Sequence, residues 1–135
     1  MRVKKSVPLI ITDKVEEQKN FYCENFGFHP LFDNGDYLAL ASNDGSCEIA
    51  FMKPCKTEST GEKINSPKSL IFCFEVDNTD VEYARLCKKG IEFIQVPQDN
   101  PWGDRSAILS DTIGISIYIY NAIPMTEEFS QFVKE

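Results

Sequence analysis

Few side chains in this sequence are equipped for bond-making chemistry. His29 is the only histidine, so within one chain a histidine-rich metal site and any mechanism needing two histidines are excluded. Five cysteines (Cys23, Cys47, Cys55, Cys73 and Cys87) form an odd set without a C-x-x-C pair. That usage fits reduced thiols in a cytoplasmic protein. A nucleophilic cysteine also needs a base or a positive field to become thiolate, and His29, at a turn from helix to strand, reads as a surface residue. Trp102, the only tryptophan, stands among turn formers in Asp99-Asn100-Pro101-Trp102-Gly103-Asp104-Arg105. Local structure cannot bury it there, so it docks on its own core or stacks on a guest, either contact being worth roughly 0.5–2 kcal/mol. Arg105 has the fork to clamp a carboxylate or phosphate, with pairing to Asp99, Asp104 or Asp111 as the plainer alternative.

The elements that must hold these groups read as a strand, a helix and three strands, given twice. Val7 to Ile11 is a short strand, confined by Pro8 to an edge or to bonds that dispense with its N–H. Asp13 and Glu16 form a capping-box-like start; Val15, Lys19, Tyr22 and Phe26 follow at helical spacing, and Gly27 is the stop. Strands are expected over 28–32, 37–41 and 48–52, separated by the turn formers of 33–36 and 42–45. Pro54 to Lys68 is polar and reads as a linker. A strand over 70–76 then precedes a helix with a second capping box at Thr79 and Glu82, an apolar stripe of Val81, Ala84, Leu86 and Cys87, and a cationic end at Lys88-Lys89-Gly90. Strands over 91–96, 106–110 and 115–120 follow. Asp13 to Gly27 nearly equals Asp77 to Gly90, which marks an internal duplication. A last helix is expected over about 125–135, burying Phe129, Phe132 and Val133.

Length and charge limit the partners. The 135 residues suit a single domain with a core of its own. Fourteen basic and twenty-one acidic residues leave a net charge of −7. With no clustered basic face, nucleic acid is an improbable partner. No apolar run is long enough to span a bilayer, and the basic start lacks the apolar stretch of a signal peptide.

In this order the landmarks Asp13, Phe21-Tyr22, Phe26-Gly27-Phe28, Phe74-Glu75-Val76-Asp77, Pro101-Trp102-Gly103 and Ser110-Asp111-Thr112-Ile113-Gly114 resemble the vicinal oxygen chelate superfamily. It includes glyoxalase I, extradiol dioxygenases and bleomycin-resistance proteins. The Pro-Trp-Gly turn looks most like the bleomycin-resistance branch. The resemblance implies an α+β fold in which two βαβββ modules, about 6–53 and 69–121, form a cleft. Metal-dependent relatives place ligands on the first strand of each module and a glutamate on the last. Here those positions fall on Ser6, Ile71 and Tyr118, with Glu48 loosely matching a further acidic ligand. Serine, isoleucine and a neutral phenol make no divalent metal site, so no metal or other cofactor is expected.

By strand alternation, the side lining the cleft in relatives would carry Ile71, Cys73 and Glu75, together with Ser116, Tyr118 and Tyr120. The expectation is a metal-independent, non-catalytic binder of a small aromatic or cationic molecule. Trp102, Tyr118, Tyr120, Glu48, Cys73, Ile71, Ser6 and Arg105 would be its contacts, and the protein would be a homodimer, as relatives are. The alternative is a glyoxalase-like lyase or isomerase with Glu48 as general base and an unrecognised metal.

Overall fold

Period-two apolar runs and two helical stretches set the order of elements. The computed structural model describes residues 1–54 and 70–134, and the chain divides into two units between Lys68 and Ser69. In the first unit β1 (Leu9–Ile11) leads into α1 (Val15–Phe26), then β2 (His29–Asp33), β3 (Tyr37–Ala41) and β4 (Glu48–Met52). The sheet order is β1-β4-β3-β2, with β1 parallel to β4 and the other pairs antiparallel. The strand after Pro8 takes an edge of this sheet, as a residue without an N–H requires, and the Pro8 carbonyl accepts from the Ala50 N–H at 2.9 Å. Ile10, Leu38, Leu40, Ile49 and Phe51 are buried, as are Val15 and Tyr22 of α1. The Tyr22 ring lies 5.5 Å from Phe51 and 5.8 Å from Phe28.

The second unit repeats the plan with β5 (Ile71–Glu75), α2 (Thr79–Lys88), β6 (Phe93–Asn100), β7 (Asp104–Ser110) and β8 (Ser116–Ala122), followed by α3 (Glu127–Ser130). Its sheet order is β5-β8-β7-β6, again with the first strand parallel to the last. Ala107, Leu109, Ile117 and Ile119 are buried with Leu86 of α2. The fold is thus α+β, two βαβββ modules of the same topology.

The helix starts differ from the sequence reading. No Asp13 cap forms: Lys14 is the first residue outside α1, and its N–H donates to Thr12 Oγ1 at 3.1 Å. At α2 the cap is Asn78, whose Oδ1 accepts from the Val81 N–H at 3.1 Å. Thr79 is instead inside the helix and buried, donating its hydroxyl to the Arg105 carbonyl at 2.8 Å. The buried face of α2 therefore keeps only Leu86 of the expected stripe. Val81 is 58% exposed, Ala84 and Cys87 are exposed too, and the inward residues are Thr79 and Leu86, with Tyr83 edge-on to Phe93 at 4.7 Å. The stop of α1 is as read: Gly27 has φ 70°, and a Cβ there would come within 2.9 Å of the Asn43 amide.

Two further expectations are corrected. The sixth strand does not end at Val96 but continues through Pro97 and Gln98 to Asn100. The Trp102 loop is accordingly a tight turn of three residues. The C-terminal helix is four residues long, and Phe132 and Val133 are exposed because nothing in that short segment turns them inward. The linker read over 54–68 lies, apart from Pro54, outside the described residues. Among the described residues no helix is long and apolar enough to cross a membrane.

Candidate functional site

Alternation along β5, β7 and β8 gives the second sheet two unlike faces. One is packed under α2; the other presents Cys73 opposite Tyr118 and Glu75 opposite Tyr120, with Ile108 and Ser106 as the next neighbours across β8. Ile71, Cys73 and Glu75 are exposed, and Tyr118 and Tyr120 are half-buried with ring centroids 5.9 Å apart.

The Tyr118 hydroxyl is the hub of this face. It donates to the Asp104 carboxylate, 2.8 and 3.0 Å from the two oxygens, and accepts from Trp102 Nε1 at 3.2 Å. Asn100 Nδ2 donates to Asp104 Oδ1 and to Ser106 Oγ, both at 2.8 Å. Gln98 Nε2 donates to Asn100 Oδ1 at 3.1 Å. The network closes because β6 runs on to Asn100, which makes Asn100 and Asp104 a cross-strand pair. Gly103, at φ 105°, supplies the backbone that the three-residue turn requires.

Trp102 thus has its indole N–H turned to its own sheet while 48% of its surface stays exposed. Phe129 meets the ring edge-on at 6.0 Å. The chain after β8 is tied to the same turn, with the Ile123 N–H donating to the Gly103 carbonyl at 2.9 Å and the Thr126 N–H to the Pro101 carbonyl at 3.0 Å. Burial first, then the neighbouring Glu75, Cys73 and Asp104, push the Tyr120 phenol above its ordinary pKa. Tyr120 therefore stays a neutral donor at physiological pH.

The structure brings Trp102, Tyr118, Tyr120, Cys73 and Ile71 to one face of the second sheet. It does not bring Arg105 there. That side chain projects to the helix side, where Nε and Nη2 donate to Asp80 at 2.8 and 3.0 Å, and Nη1 donates to Asp99 at 2.9 Å. Asp80, then Asp99, hold the guanidinium well above its usual pKa. Asp80 on α2 was not among the anticipated partners; Asp104 and Asp111 were. Ser6 and Glu48 belong to the first unit. Ser6 is exposed and precedes β1, while Glu48 opens β4 in an ion pair with Lys5. His29 is exposed, as read. Asn100, Asp104 and Ser106 escaped the sequence reading because a turn-rich stretch masks a strand end; the signal available was the four-residue spacing of two polar residues around Pro-Trp-Gly.

The residues at the superfamily's metal-ligand positions do not fit a divalent ion. Ile71 has no lone pair, Ser6 is a neutral hydroxyl, the Tyr118 proton is committed to Asp104, and the Glu48 carboxylate is held by Lys5. Among the described residues no three His, Cys, Asp or Glu side chains gather in a way that could hold a metal ion.

Comparison with known proteins agrees with this architecture. Solved structures with the same fold include an antibiotic binding protein, TnmS3, from Streptomyces sp. CB03234, at 25% identity and TM-score 0.68, covering 90% of this chain and 99% of that one. A glyoxalase/bleomycin resistance protein/dioxygenase from Nocardioides matches at 20% identity and TM-score 0.73, covering 91% and 85%. Lactoylglutathione lyase from Agrobacterium tumefaciens matches at 16% identity and TM-score 0.70, covering 90% and 96%. No match is found among the curated proteins. Residues 6–119 match the family described as the glyoxalase/bleomycin resistance protein/dioxygenase superfamily, and this chain belongs to it.

Proposed function

We propose that this protein binds a small, partly aromatic molecule without a metal ion and without transforming it. The observation that carries this reading is the anchored but half-exposed Trp102. Its N–H is fixed on the Tyr118 hydroxyl, so the indole is held in place before any guest arrives. A ring fixed in advance loses little freedom on stacking, and rigid aromatic anchors are where small-molecule sites place their affinity. Tyr118 and Tyr120 extend the aromatic surface, and Cys73 and Ile71 offer soft, apolar contact beside them. The poor fit of Ser6, Ile71, Tyr118 and Glu48 to a metal supports binding by contact alone. So does the likeness to TnmS3, an antibiotic binding protein. The same reading takes the protein as a homodimer in the cytoplasm, with a solution mass about twice 15.4 kDa.

Because Trp102 is the only tryptophan, its emission reports on this face directly. Titrating planar aromatic compounds should quench or shift that emission saturably, equally with and without a chelator present. Saturation that appears only with added divalent metal would replace this reading with a metal-dependent one, and a panel that leaves the emission unchanged would remove it.

A further inference from the structure

From two carboxylates of this face that meet no cation among the described residues, we infer that the open face of the second sheet selects a positively charged aromatic ligand, with Glu75 and Asp104 reading the charge. The inference rests on the binding reading above and narrows its ligand class. The Asp104 carboxylate is met by two neutral donors, the Tyr118 hydroxyl and the Asn100 amide, and by no cation among the described residues. Glu75, opposite Tyr120 in the register, makes no ion pair among the described residues. Elsewhere in the same unit carboxylates do find cations: Asp80 and Asp99 are paired with Arg105, and Glu82 with Arg85.

The four strands contain one basic residue, Arg105, and it projects to the helix side. The sheet therefore offers negative charge and aromatic rings on this face with no basic side chain among them. Ring faces carry negative quadrupole density and attract a cation lying over them. A carboxylate within several ångströms adds Coulomb attraction that grows as the guest displaces water. Burial is the main cause of the raised Tyr120 pKa, and the nearby Glu75 and Asp104 add to it in the direction a negative field requires. An anionic guest of the same shape would meet repulsion from both carboxylates.

Three probes of one shape separate charge from stacking: N-methylacridinium, acridine as the neutral form at pH 7.5, and acridine-9-carboxylate, each titrated against Trp102 emission. N-methylacridinium should bind at least tenfold more tightly than the carboxylate, with acridine between them. Glu75→Gln should shrink that ratio several-fold, and Glu75→Lys should abolish or invert it. Thermal melts of both variants establish that they fold. Equal affinities for the three probes, or a ratio unchanged in Glu75→Lys, would overturn the charge selection while leaving aromatic binding in place. If none of the three perturbs Trp102, the binding reading falls and the charge selection with it.

Discussion

At the scale of single residues, the hydroxyl of Tyr118 does what no other atom of the open face does: it joins β8 to the β6–β7 turn through Asp104, Asn100 and Trp102. Tyr118→Phe keeps the ring and removes that oxygen. Asp104 then loses a donor and Trp102 Nε1 loses its acceptor, and leaving such partners unpaired costs about 1–3 kcal/mol when water cannot fully replace them. The freed indole should also move further into solvent. The expected outcome is a lower urea midpoint with an unchanged slope and a red-shifted Trp102 emission. An unshifted spectrum would mean that the indole is held by Phe129 and the turn alone. Tyr118→Phe should weaken aromatic ligands as well, because Trp102 must then be ordered during binding. This hub was half legible in the sequence. Alternation on the last strand puts Tyr118 on the same face as Tyr120, but nothing in the local pattern shows that Asn100 and Asp104 face each other. That depends on β6 persisting through Pro97, a residue that ordinarily argues against a strand and is tolerated here because β6 is the edge of its sheet.

At the scale of elements, the order of the strands was readable, whereas the far end of β6 and the rotation of α2 were not. The third and fourth strands match the sequence expectation residue for residue, because short apolar runs beside Asn-Gly and Asp-Gly turns are too brief for helices. In α2 two stripes compete. The expected one runs through Val81, Ala84, Leu86 and Cys87, whereas the inward one contains Thr79, Tyr83 and Leu86. It wins because the Thr79 hydroxyl satisfies the Arg105 carbonyl and Asn78 satisfies the Val81 N–H, so the polar first turn of the helix fixes its rotation. The two stripes share Leu86 and part at Val81. Leu86→Ala should cost about 2–5 kcal/mol as a fully buried truncation, whereas Val81→Ala should stay within about 0.5 kcal/mol. Asn78→Ala should cost about 1 kcal/mol as a lost cap. Chemical denaturation of the three variants checks this, and a Val81→Ala penalty as large as that of Leu86→Ala would contradict the observed rotation. The duplication was visible in the same order of elements: each module pairs its first strand in parallel with its last, with the helix and the two middle strands between them in the chain.

For the whole molecule, charge sets two opposing trends with pH. A net charge of −7 at neutrality implies self-repulsion that relaxes as pH falls toward the isoelectric point near 4.7. Specific carboxylates work the other way. Asp33, hydrogen-bonded to Lys19 and the Gly35 N–H, Asp44, held by Ser46 and Ser42, and Asp80, held by Arg105, all lie below the ordinary 3.8. A carboxylate whose folded pKa is depressed binds fewer protons folded than unfolded at pH values near 3.8. Its contribution is therefore complete above the unfolded value and is lost as pH falls through the folded one. Tyr120 has the opposite sign. Its pKa lies above the ordinary 10.0, so the folded chain keeps a proton that the unfolded chain gives up, and that contribution is lost as pH rises through the folded value. The melting temperature should accordingly rise or hold steady from pH 8 to about 5, fall below about 4, and fall again above about 10. Asp80→Asn should soften the acid fall without touching the alkaline one, and Tyr120→Phe should do the reverse. These groups are on or near the surface, where each effect is modest and weakened by salt, so the measurement belongs at low ionic strength. If the melting temperature does not fall below pH 4, where the net charge has already turned positive, the hydrogen bonds of the three depressed carboxylates contribute less to folding than their geometry implies.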